Sequence, residues 1–296
     1  MAAYVILNPY ANRWIAKKRE QEVVAALQKA KVDFELVETE APEHAIQLSE
    51  TAARQGKSPI IAAGGDGTIG EVLNGLYRAN PEGTLGPFGV LPLGTANDLL
   101  VNLGHPIDLD RAAEVIAGGI TRTIDLCQAN SWVFANNSAV GLEPIVSLFN
   151  IRMKRLRGMV RYLVAALRAI ASRPRWEMRL RWDDGSYEGP VSLVSVGNCP
   201  LTGGLFRMAP AAKPDDGLLT FVYGYAATRL RMLGLLPRAI SGEYVKDAAI
   251  HQHHTRRLEV ECVPSTPIQA DGEIRALELT HISYRVLPGA LKILAP

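Results

Sequence analysis

The sequence predicts a two-domain protein in which an α/β domain comes first and a β-rich domain second. Its 296 residues are long for one hydrophobic core and suit two. Over the first 125 residues, short apolar runs alternate with helical patterns, the order expected of a parallel sheet covered by helices. Beyond that point strand-like runs dominate, and Asp-Gly dipeptides, which are typical of tight turns, separate several of them.

The first domain, predicted over residues 1–125, contains four apolar runs that we interpret as strands. The third run shows no alternation of apolar and polar residues, as expected for a parallel strand that is buried on both faces. The helical patterns between the runs have typical boundaries, such as Pro42 and Glu43 at a start and Gly56 at an end. The predicted strands are AYVIL (3–7), FELVET (34–39), PIIAAG (59–64) and FGVLPL (88–93), and the helices are 13–30, 42–55, a helix opening at Thr68, and 95–103.

The second domain, predicted over residues 126–287, is expected to be mostly antiparallel, with helical insertions near 142–172 and 227–240. The last residues, about 288–296, are expected to return to the first domain. The predicted strands are WVFANN (132–137), WEMRLRW (176–182), PVSLVSVG (190–197), LLTFVYGY (218–225), RRLEVEC (256–262), TPIQA (266–270) and HISYRVL (281–287).

Composition excludes several classes of protein. The net charge of +2 gives no reason to expect a nucleic-acid partner. No signal peptide is recognisable at the start, and no apolar run reaches the roughly 18 residues of a membrane span. Three widely separated cysteines fit neither a disulfide framework nor a zinc site. We therefore expect a cytoplasmic protein.

The stretch GGDGTIGEV (64–72) lies between a predicted strand and a predicted helix. Thr68 as N-cap and Glu71 three residues later form a capping-box pattern. Backbone N–H groups at a helix start bind anions, and glycines let phosphate oxygens approach the backbone. The segment is not a Walker loop, and its G-x-G-x-x-G match at 65–70 follows the third strand rather than the first. A phosphate cradle and a plain glycine turn both remain open from these residues.

A second stretch, LPLGTANDLL (91–100), repeats the arrangement of apolar strand, glycine and helix. Polar residues also follow the first two strands, at Asn8 and Thr39. Because ligands of open parallel sheets bind at the carboxyl ends of the strands, these segments are expected to face one ligand site.

GGDGT, LPLGTANDLL, PDDGLL and DGE, in that order, resemble the motifs of the diacylglycerol-kinase-type lipid kinase family, in its bacterial soluble branch. The resemblance covers nearly the whole chain. It implies an N-terminal three-layer α/β nucleotide-binding domain, similar to that of NAD kinase, and a C-terminal, mostly antiparallel β-sandwich. It also implies transfer of the γ-phosphate of ATP to the hydroxyl of a lipid such as diacylglycerol, with Mg²⁺ as the cofactor.

The resemblance also implies roles for individual residues. Glu273 falls on the family's proton acceptor. Lys213, Asp216 and Leu218 fall where some members bind a structural magnesium, the lysine and leucine through their carbonyl groups. The positions implied for nucleotide binding are Asn8, Thr39, Gly64, Gly65, Asp66, Gly67, Thr68, Ile69, Gly70 and Thr95.

This chain departs from the family pattern at three places. Gly70 replaces a common asparagine, YANRW follows Asn8-Pro9, and Glu143 stands where an aspartate is frequent. None of these changes removes a chemical group that the reaction requires.

The acidic candidates have alternative interpretations. Asp66 cannot bind phosphate directly, so it would hold Mg²⁺ or accept the proton of the alcohol; otherwise it only shapes the turn. Asn97 and Asp98, at the start of the helix after Gly94, are candidates for the substrate side. Asp216 would bind a cation, or PDDGLL is an ordinary turn.

Two further segments carry charge or possible metal ligands. From Pro144 to Trp176 there is no acidic residue but there are several basic ones, interleaved with apolar residues. Such a helix would contact an anionic membrane, or else expose a solvated basic face. HQHH (251–254) is interpreted as a flexible loop rather than a metal site. The basic residues are Arg152, Lys154, Arg155, Arg157, Arg161, Arg168, Arg173 and Arg175.

We thus expect a lipid kinase with a lipid substrate, peripheral contact with an anionic membrane and no nucleic-acid partner. The alternatives are an NAD kinase-like enzyme, which shares a GGDGT-like loop, and a nucleotide-binding module without catalysis. The sequence does not specify the lipid or the oligomeric state.

Overall fold

A computed structural model describes residues 2–11, 19–153, 158–172 and 175–296. The start of the predicted helix 13–30, most of YANRW, and the basic residues Lys154, Arg155, Arg157 and Arg173 lie outside the described residues. The chain forms two compact units. The first comprises Met1–Leu126 and Pro288–Pro296, and the second comprises Cys127–Leu287.

The first unit is built on a parallel sheet. Its strands β1 (Ala3–Leu7), β2 (Phe34–Glu38), β3 (Ile60–Gly64) and β4 (Leu85–Pro92) lie in the order β4-β3-β1-β2. β1 and β3 are buried along their whole length, which explains their unbroken apolar sequences. Residues 288–294 pair in parallel with β4 at its free edge, Leu291 opposite Leu85.

Helices cover both faces of this sheet, which gives the three layers. On one face, Val5 and Leu7 pack in a core with Val23 and Leu27 of one helix and with Ile116 of another. The next two helices pack against each other and contact β1 and β3. The helices are α1 (Glu20–Lys29), α2 (His44–Arg54), α3 (Asp66–Ala79), α4 (Asp98–Leu103) and α5 (Leu109–Gly118).

The strands of the second unit pair in antiparallel fashion. The alternation along β8 shows which face of this strand lies on the core. Trp176, Met178 and Leu180 are buried, while the residues between them are exposed. The strands that follow β4 are β5 (Thr121–Ala129), β6 (Trp132–Phe134), β7 (Asn137–Gly141), β8 (Trp176–Trp182), β9 (Gly185–Val191), β10 (Leu193–Gly197), β11 (Leu201–Thr202), β12 (Phe206–Arg207), β13 (Leu219–Gly224), β14 (Ile250–Thr255), β15 (Arg257–Ala270) and β16 (Glu273–Leu294).

Within this unit the strand order is β14-β13-β10-β7-β15, and β15 also pairs with β8 and β16. Among the described residues, three α-helices accompany these strands: α6 (Leu142–Arg152), α7 (Gly158–Ser172) and α8 (Arg229–Ser241). The predicted fold class is confirmed.

Several predicted elements need correction. RRLEVEC and TPIQA belong to the single strand β15. Its pairing with β16 shifts register between Glu261 and Ile268, the segment that contains its two prolines. WVFANN is divided between β6 and β7.

The interpretation of HQHH as a flexible loop is wrong, because residues 251–254 form the middle of strand β14. His251 stacks on Tyr223 of β13 at 5.0 Å between ring centroids, and His253 stacks on Phe221 at 5.4 Å. These cross-strand ring contacts favour the extended backbone.

Candidate active site

The ends of the four parallel strands lie at one edge of the first unit's sheet, as predicted. Asn8 N donates to Ala63 O at 3.0 Å, Thr39 N donates to Leu7 O at 2.8 Å, and Leu93 N donates to Gly64 O at 2.9 Å. These bonds hold the segments after β1, β2 and β4 in register with their neighbours, and so bring the candidate residues of this unit together.

The helix after β3 begins three residues earlier than the capping-box pattern predicts. α3 starts at Asp66, and its N-cap is Gly65 in extended conformation, without a side-chain cap. Thr68 is therefore not the N-cap; it is buried in the first turn, where its hydroxyl accepts a 2.9 Å hydrogen bond from Asn8 Nδ2. Glu71 accepts instead from the backbone of Glu43 at 3.2 Å. A long-range partner for Thr68 has replaced the local cap.

Glycine is required at this junction by packing. A Cβ on Gly64 would lie 2.3 Å from Thr68 Oγ1, closer than any non-bonded contact allows. A Cβ on Gly94 would lie 2.6 Å from the Cα of Gly65, and a Cβ on Gly65 would lie 3.1 Å from the Cα of Gly94. The two strand–helix junctions thus touch backbone to backbone.

The remaining candidates of the first unit differ in exposure. Thr95 is exposed, and Asp66 and Gly67 are half-buried at the start of α3. Ile69 is different, because its side chain is in the core and its N–H donates to Gly65 O. Gly70 is buried within α3, where its carbonyl accepts from Asn74 Nδ2 at 2.7 Å.

Asn97 and Asp98 are both buried at the start of α4. Asn97 adopts a left-handed conformation (φ 51°), and its Oδ1 is buried with no hydrogen-bond partner among the described residues. A Cβ on Gly94 would lie 2.7 Å from this atom. An acceptor atom is therefore directed at the junction between Gly65 and Gly94.

The other candidates belong to the second unit. Glu273 is exposed at the first position of β16, directly after the two-residue turn Asp271–Gly272. Ala270 and Glu273 are paired, and both turn residues have positive φ, 48° and 81°. The predicted hairpin turn at DGE is confirmed.

The carboxylate of Asp271 binds three successive backbone amides. Its Oδ2 accepts from Ala135 N at 3.1 Å, and its Oδ1 accepts from Asn136 N at 2.9 Å and Asn137 N at 3.0 Å. Burial raises the pKa of Asp271, and the three amides oppose that rise. This carboxylate fixes the turn that carries Glu273 against the segment between β6 and β7.

The candidate metal site at 213–218 is a turn before β13. Asp216 is exposed, and its Oδ1 accepts from Leu218 N at 3.0 Å, as in an Asx turn. Within the described ranges, no group of three or more His, Cys, Asp or Glu side chains could hold a metal ion. The predicted site would use one carboxylate and two backbone carbonyl groups. It therefore differs from a cluster of three such side chains, and the absence of a cluster does not test it.

Sequence reasoning missed Asp271 as more than a turn residue. The Asp-Gly dipeptide indicated the turn, but the amides that the carboxylate binds are 134 to 136 residues away along the chain. In the sequence, Glu143 stands out only as a departure from a family pattern, and its burial in the second unit carries no local signal.

Comparison with known proteins agrees with both units. The model of the diacylglycerol kinase catalytic domain matches residues 2–129. The model of the YegS C-terminal NAD kinase beta sandwich-like domain matches residues 137–295. The chain belongs to the diacylglycerol-kinase-type lipid kinase family. It is therefore a phosphotransferase with an alcohol group as acceptor.

Individual relatives match over most of their length. A diacylglycerol kinase of Bacillus subtilis is 29% identical over 273 residues, which cover 92% of this chain and 89% of that protein. One of Staphylococcus saprophyticus is 28% identical, with 92% and 88% covered. The crystal structure of a diacylglycerol kinase from Bacillus anthracis has a TM-score of 0.79 at 24% identity, covering 100% of this chain and 97% of that one. The structural likeness concerns the fold alone.

Replacing Asp271 with asparagine should destabilise the second unit. The amide Nδ2 would face the N–H of Ala135, so at least one buried donor would lose its acceptor, at a cost of about 1–3 kcal/mol. Urea unfolding followed by circular dichroism measures this change. Asp184→Asn, on an exposed Asp-Gly turn, is the control and should change stability by less than about 0.5 kcal/mol. Equal, small effects of both variants would contradict the structural role of Asp271.

Proposed function

We propose that this enzyme uses ATP and Mg²⁺ to phosphorylate the hydroxyl of a lipid such as diacylglycerol. The observation that carries the proposal is that Gly65 and Gly94 lie in contact at two strand–helix junctions and that the N-cap of α3 makes no side-chain hydrogen bond, next to three other polar strand ends. The first N–H groups of a helix have no partner within the helix and favour anions. The phosphates of a nucleotide suit this position.

Asn8, Thr39 and Thr95 are proposed to bind the nucleotide around these phosphates, with Gly64–Gly70 as the loop itself. The residues present suit magnesium as well, because Asp66, in the first turn of α3, supplies a carboxylate beside the proposed phosphate position. Magnesium, when bound, neutralises the charge on the phosphate oxygens. Asp66 would hold it, and Asn97 and Asp98 would face the substrate side.

Glu273 is proposed as the general base. The hydroxyl oxygen of the lipid attacks the γ-phosphorus, the bond to the β,γ-bridging oxygen breaks, ADP leaves, and the hydroxyl proton passes to Glu273. An exposed carboxylate on a turn that Asp271 holds rigidly can take a proton without rearranging the backbone. Asp66 is the competing candidate for this step.

The turn at 213–218 is proposed as a second, structural cation site. The second carboxylate oxygen of Asp216, with the carbonyl groups of Lys213 and Leu218, would give oxygen donors of the kind that Mg²⁺ prefers.

We further propose peripheral contact with the inner face of an anionic membrane, through α6, α7 and α8. No helix of the described residues is long and apolar enough to cross a membrane. α7 and α8 contain five arginines and no acidic residue, and Arg152 and Arg168 are exposed. Basic and apolar side chains on one group of helices suit the surface of an anionic bilayer.

Gly65→Ala should raise the KM for ATP by about tenfold or more, because the added methyl separates a phosphate from the helix N–H groups. Initial rates of ATP-dependent phosphorylation measure the change. Gly118→Ala, where an added Cβ meets nothing within 4 Å, is the matched control. If the Gly65→Ala protein folds and its KM for ATP equals that of the wild type, the phosphates do not bind at the start of α3.

Glu273→Gln should lower kcat on dioctanoylglycerol by roughly 10²–10⁴ while leaving the KM for ATP nearly unchanged, because only the proton acceptor is lost. Glu278→Gln, exposed on the same strand, is the control and should retain activity. If Glu273→Gln turns over normally and Asp66→Asn is inactive, the base is Asp66. Phosphorylation of NAD⁺ rather than lipid by the wild type would favour the NAD kinase-like alternative.

Asp216→Asn keeps the acceptor for Leu218 N but removes the charge. If the turn binds a cation, this variant should lower the melting temperature in Mg²⁺ more than in chelator, since a bound ion stabilises the folded state by mass action. Thermal melting in both conditions tests this, with Asp215→Asn as control. Equal losses in Mg²⁺ and chelator would identify an ordinary turn.

Charge reversal at Arg152 and Arg168 should weaken binding to phosphatidylglycerol vesicles by about tenfold or more at low salt, because each basic residue near an anionic surface contributes about 1 kcal/mol. The loss should shrink as salt rises. Vesicle co-sedimentation measures it. Lys31→Glu with Lys292→Glu, in the first unit, gives the same charge change as a control. Equal effects of the two pairs would mean that net charge alone governs binding.

A further inference from the structure

The turn that carries Glu273 has a second attachment besides Asp271. Arg275, two residues further along β16, places its Cζ 3.5 Å from the centroid of the Trp132 ring. Trp132 is the first residue of β6, and its side chain packs against the core of the second unit. A cation over an aromatic ring is attracted by the electrons of the ring face, and tryptophan is the most favourable partner for this contact.

Both attachments join the same two segments of the chain. The carboxylate of Asp271 binds the amides of residues 135–137, which follow β6. Arg275 contacts β6 itself, three residues before the first of those amides. Glu273 lies between Asp271 and Arg275 in the sequence. A residue that is held on both sides has less freedom than one that is held on one side only, so the two contacts together limit the movement of Glu273.

Arg275 is suited to act on its neighbours rather than on a ligand. Its Nε and Nη2 atoms are buried, so a substrate does not reach them, whereas Glu273 is exposed. A guanidinium group is planar and weakly hydrated, and it therefore stacks on an aromatic face at little cost in solvation. The stack fixes β16 next to Glu273 and leaves the carboxylate of Glu273 accessible.

The charge of Arg275 also acts on Asp271. Burial raises the pKa of the Asp271 carboxyl, and the three amides and Arg275 each oppose that rise. Glu273 and Arg275 are the charged residues beside Asp271 on β16, and of the two only the cation favours an ionised carboxyl. Residues 135–137, which contact the carboxylate from the other segment, carry no charge. Because an ionised carboxylate accepts stronger hydrogen bonds than a neutral one, Arg275 strengthens the first attachment as well as forming the second.

We infer that Arg275, stacked on Trp132, is a positioning residue for Glu273: it holds the turn against β6 and keeps the carboxylate of Asp271 bound to the three amides. The inference rests on the proposed function for the role of Glu273 as the base. It adds a residue outside the four sequence motifs that influences the rate of transfer. Arg275 itself takes no part in moving the proton or the phosphoryl group.

Hydrogen exchange of the amides of residues 135–137, followed by NMR, measures the attachment without ATP or lipid. Arg275→Met removes the charge and the planar group but keeps a long side chain. These amides should exchange about threefold to thirtyfold faster than in the wild type, the range expected for loss of one cation–π contact. Arg257→Met, exposed on β15, is the control and should leave them unchanged. Equal exchange in the wild type and Arg275→Met would overturn the inference.

The same measurement at two pH values tests the charge of Arg275. Without that charge the pKa of Asp271 rises further, so Asp271 binds a proton at a higher pH than in the wild type. The ratio of exchange rates, Arg275→Met over wild type, should therefore be larger at about pH 5.5 than at about pH 8. Arg275→Lys keeps the charge, so its ratio should be the same at both. A ratio for Arg275→Met that does not change with pH would overturn the effect on Asp271.

Turnover tests the consequence for Glu273. Arg275→Met should lower kcat on dioctanoylglycerol by about threefold to thirtyfold and leave the KM for ATP unchanged, because the nucleotide is proposed to bind the first unit. Arg275→Lys should recover part of the loss.

A double-mutant cycle separates positioning from a general loss of structure. In a Glu273→Gln background the base is already absent, so Arg275→Met should cause no further fall in kcat. An equal fall in both backgrounds would mean that Arg275 does not act through Glu273, and would overturn the positioning role.

A second variant keeps the test valid if Arg275→Met does not fold. Trp132→Phe offers a smaller ring to the same guanidinium and should also speed exchange at residues 135–137. Faster exchange with unchanged kcat would support the attachment and count against Glu273 as the base. Failure of the inference and failure of the proposed function are therefore distinguishable.

Discussion

The carboxylate of Asp271 is the contact on which the position of the turn that carries Glu273 depends. One oxygen binds two amides and the other binds a third, so the strand pair β15–β16 and the segment before β7 are held as one piece. Glu273 follows on one side of this contact, and Asn137 lies on the other. A hydrogen bond to an ionised group is roughly twice as strong as one between neutral groups. A short acidic turn can therefore fix the position of Glu273, the proposed base.

The first unit achieves the same rigidity without charge. Its strands are held by their register, and the two strand–helix junctions are held by contact between Gly65 and Gly94. Glycine serves here in two ways, since it allows the backbones to touch and places no side-chain cap on the helix start. The sequence alone could not distinguish a phosphate cradle from a plain turn. Close packing of the two backbones and an anion site would each require glycine at these positions.

Predictions from the sequence succeeded where local chemistry determines the structure. AYVIL forms β1 residue for residue, and Asp271–Gly272 forms the turn that its composition indicates. They failed where distant groups decide: Thr68 bonds to Asn8 instead of capping its helix, and His251 and His253 stack on a neighbouring strand. The burial of Glu143 is likewise absent from the local sequence, since burial of a side chain is a property of the whole unit.

The pairing of residues 288–294 with β4 has a consequence for synthesis on the ribosome. β4 is complete once residue 92 has been made, yet its partner at that edge emerges only after the whole of Cys127–Leu287. During that interval the edge of β4 presents unpaired backbone groups to other chains. The nascent first unit therefore depends on rapid folding of the second to bring the final strand into place, and slow synthesis between the two would favour aggregation at that edge.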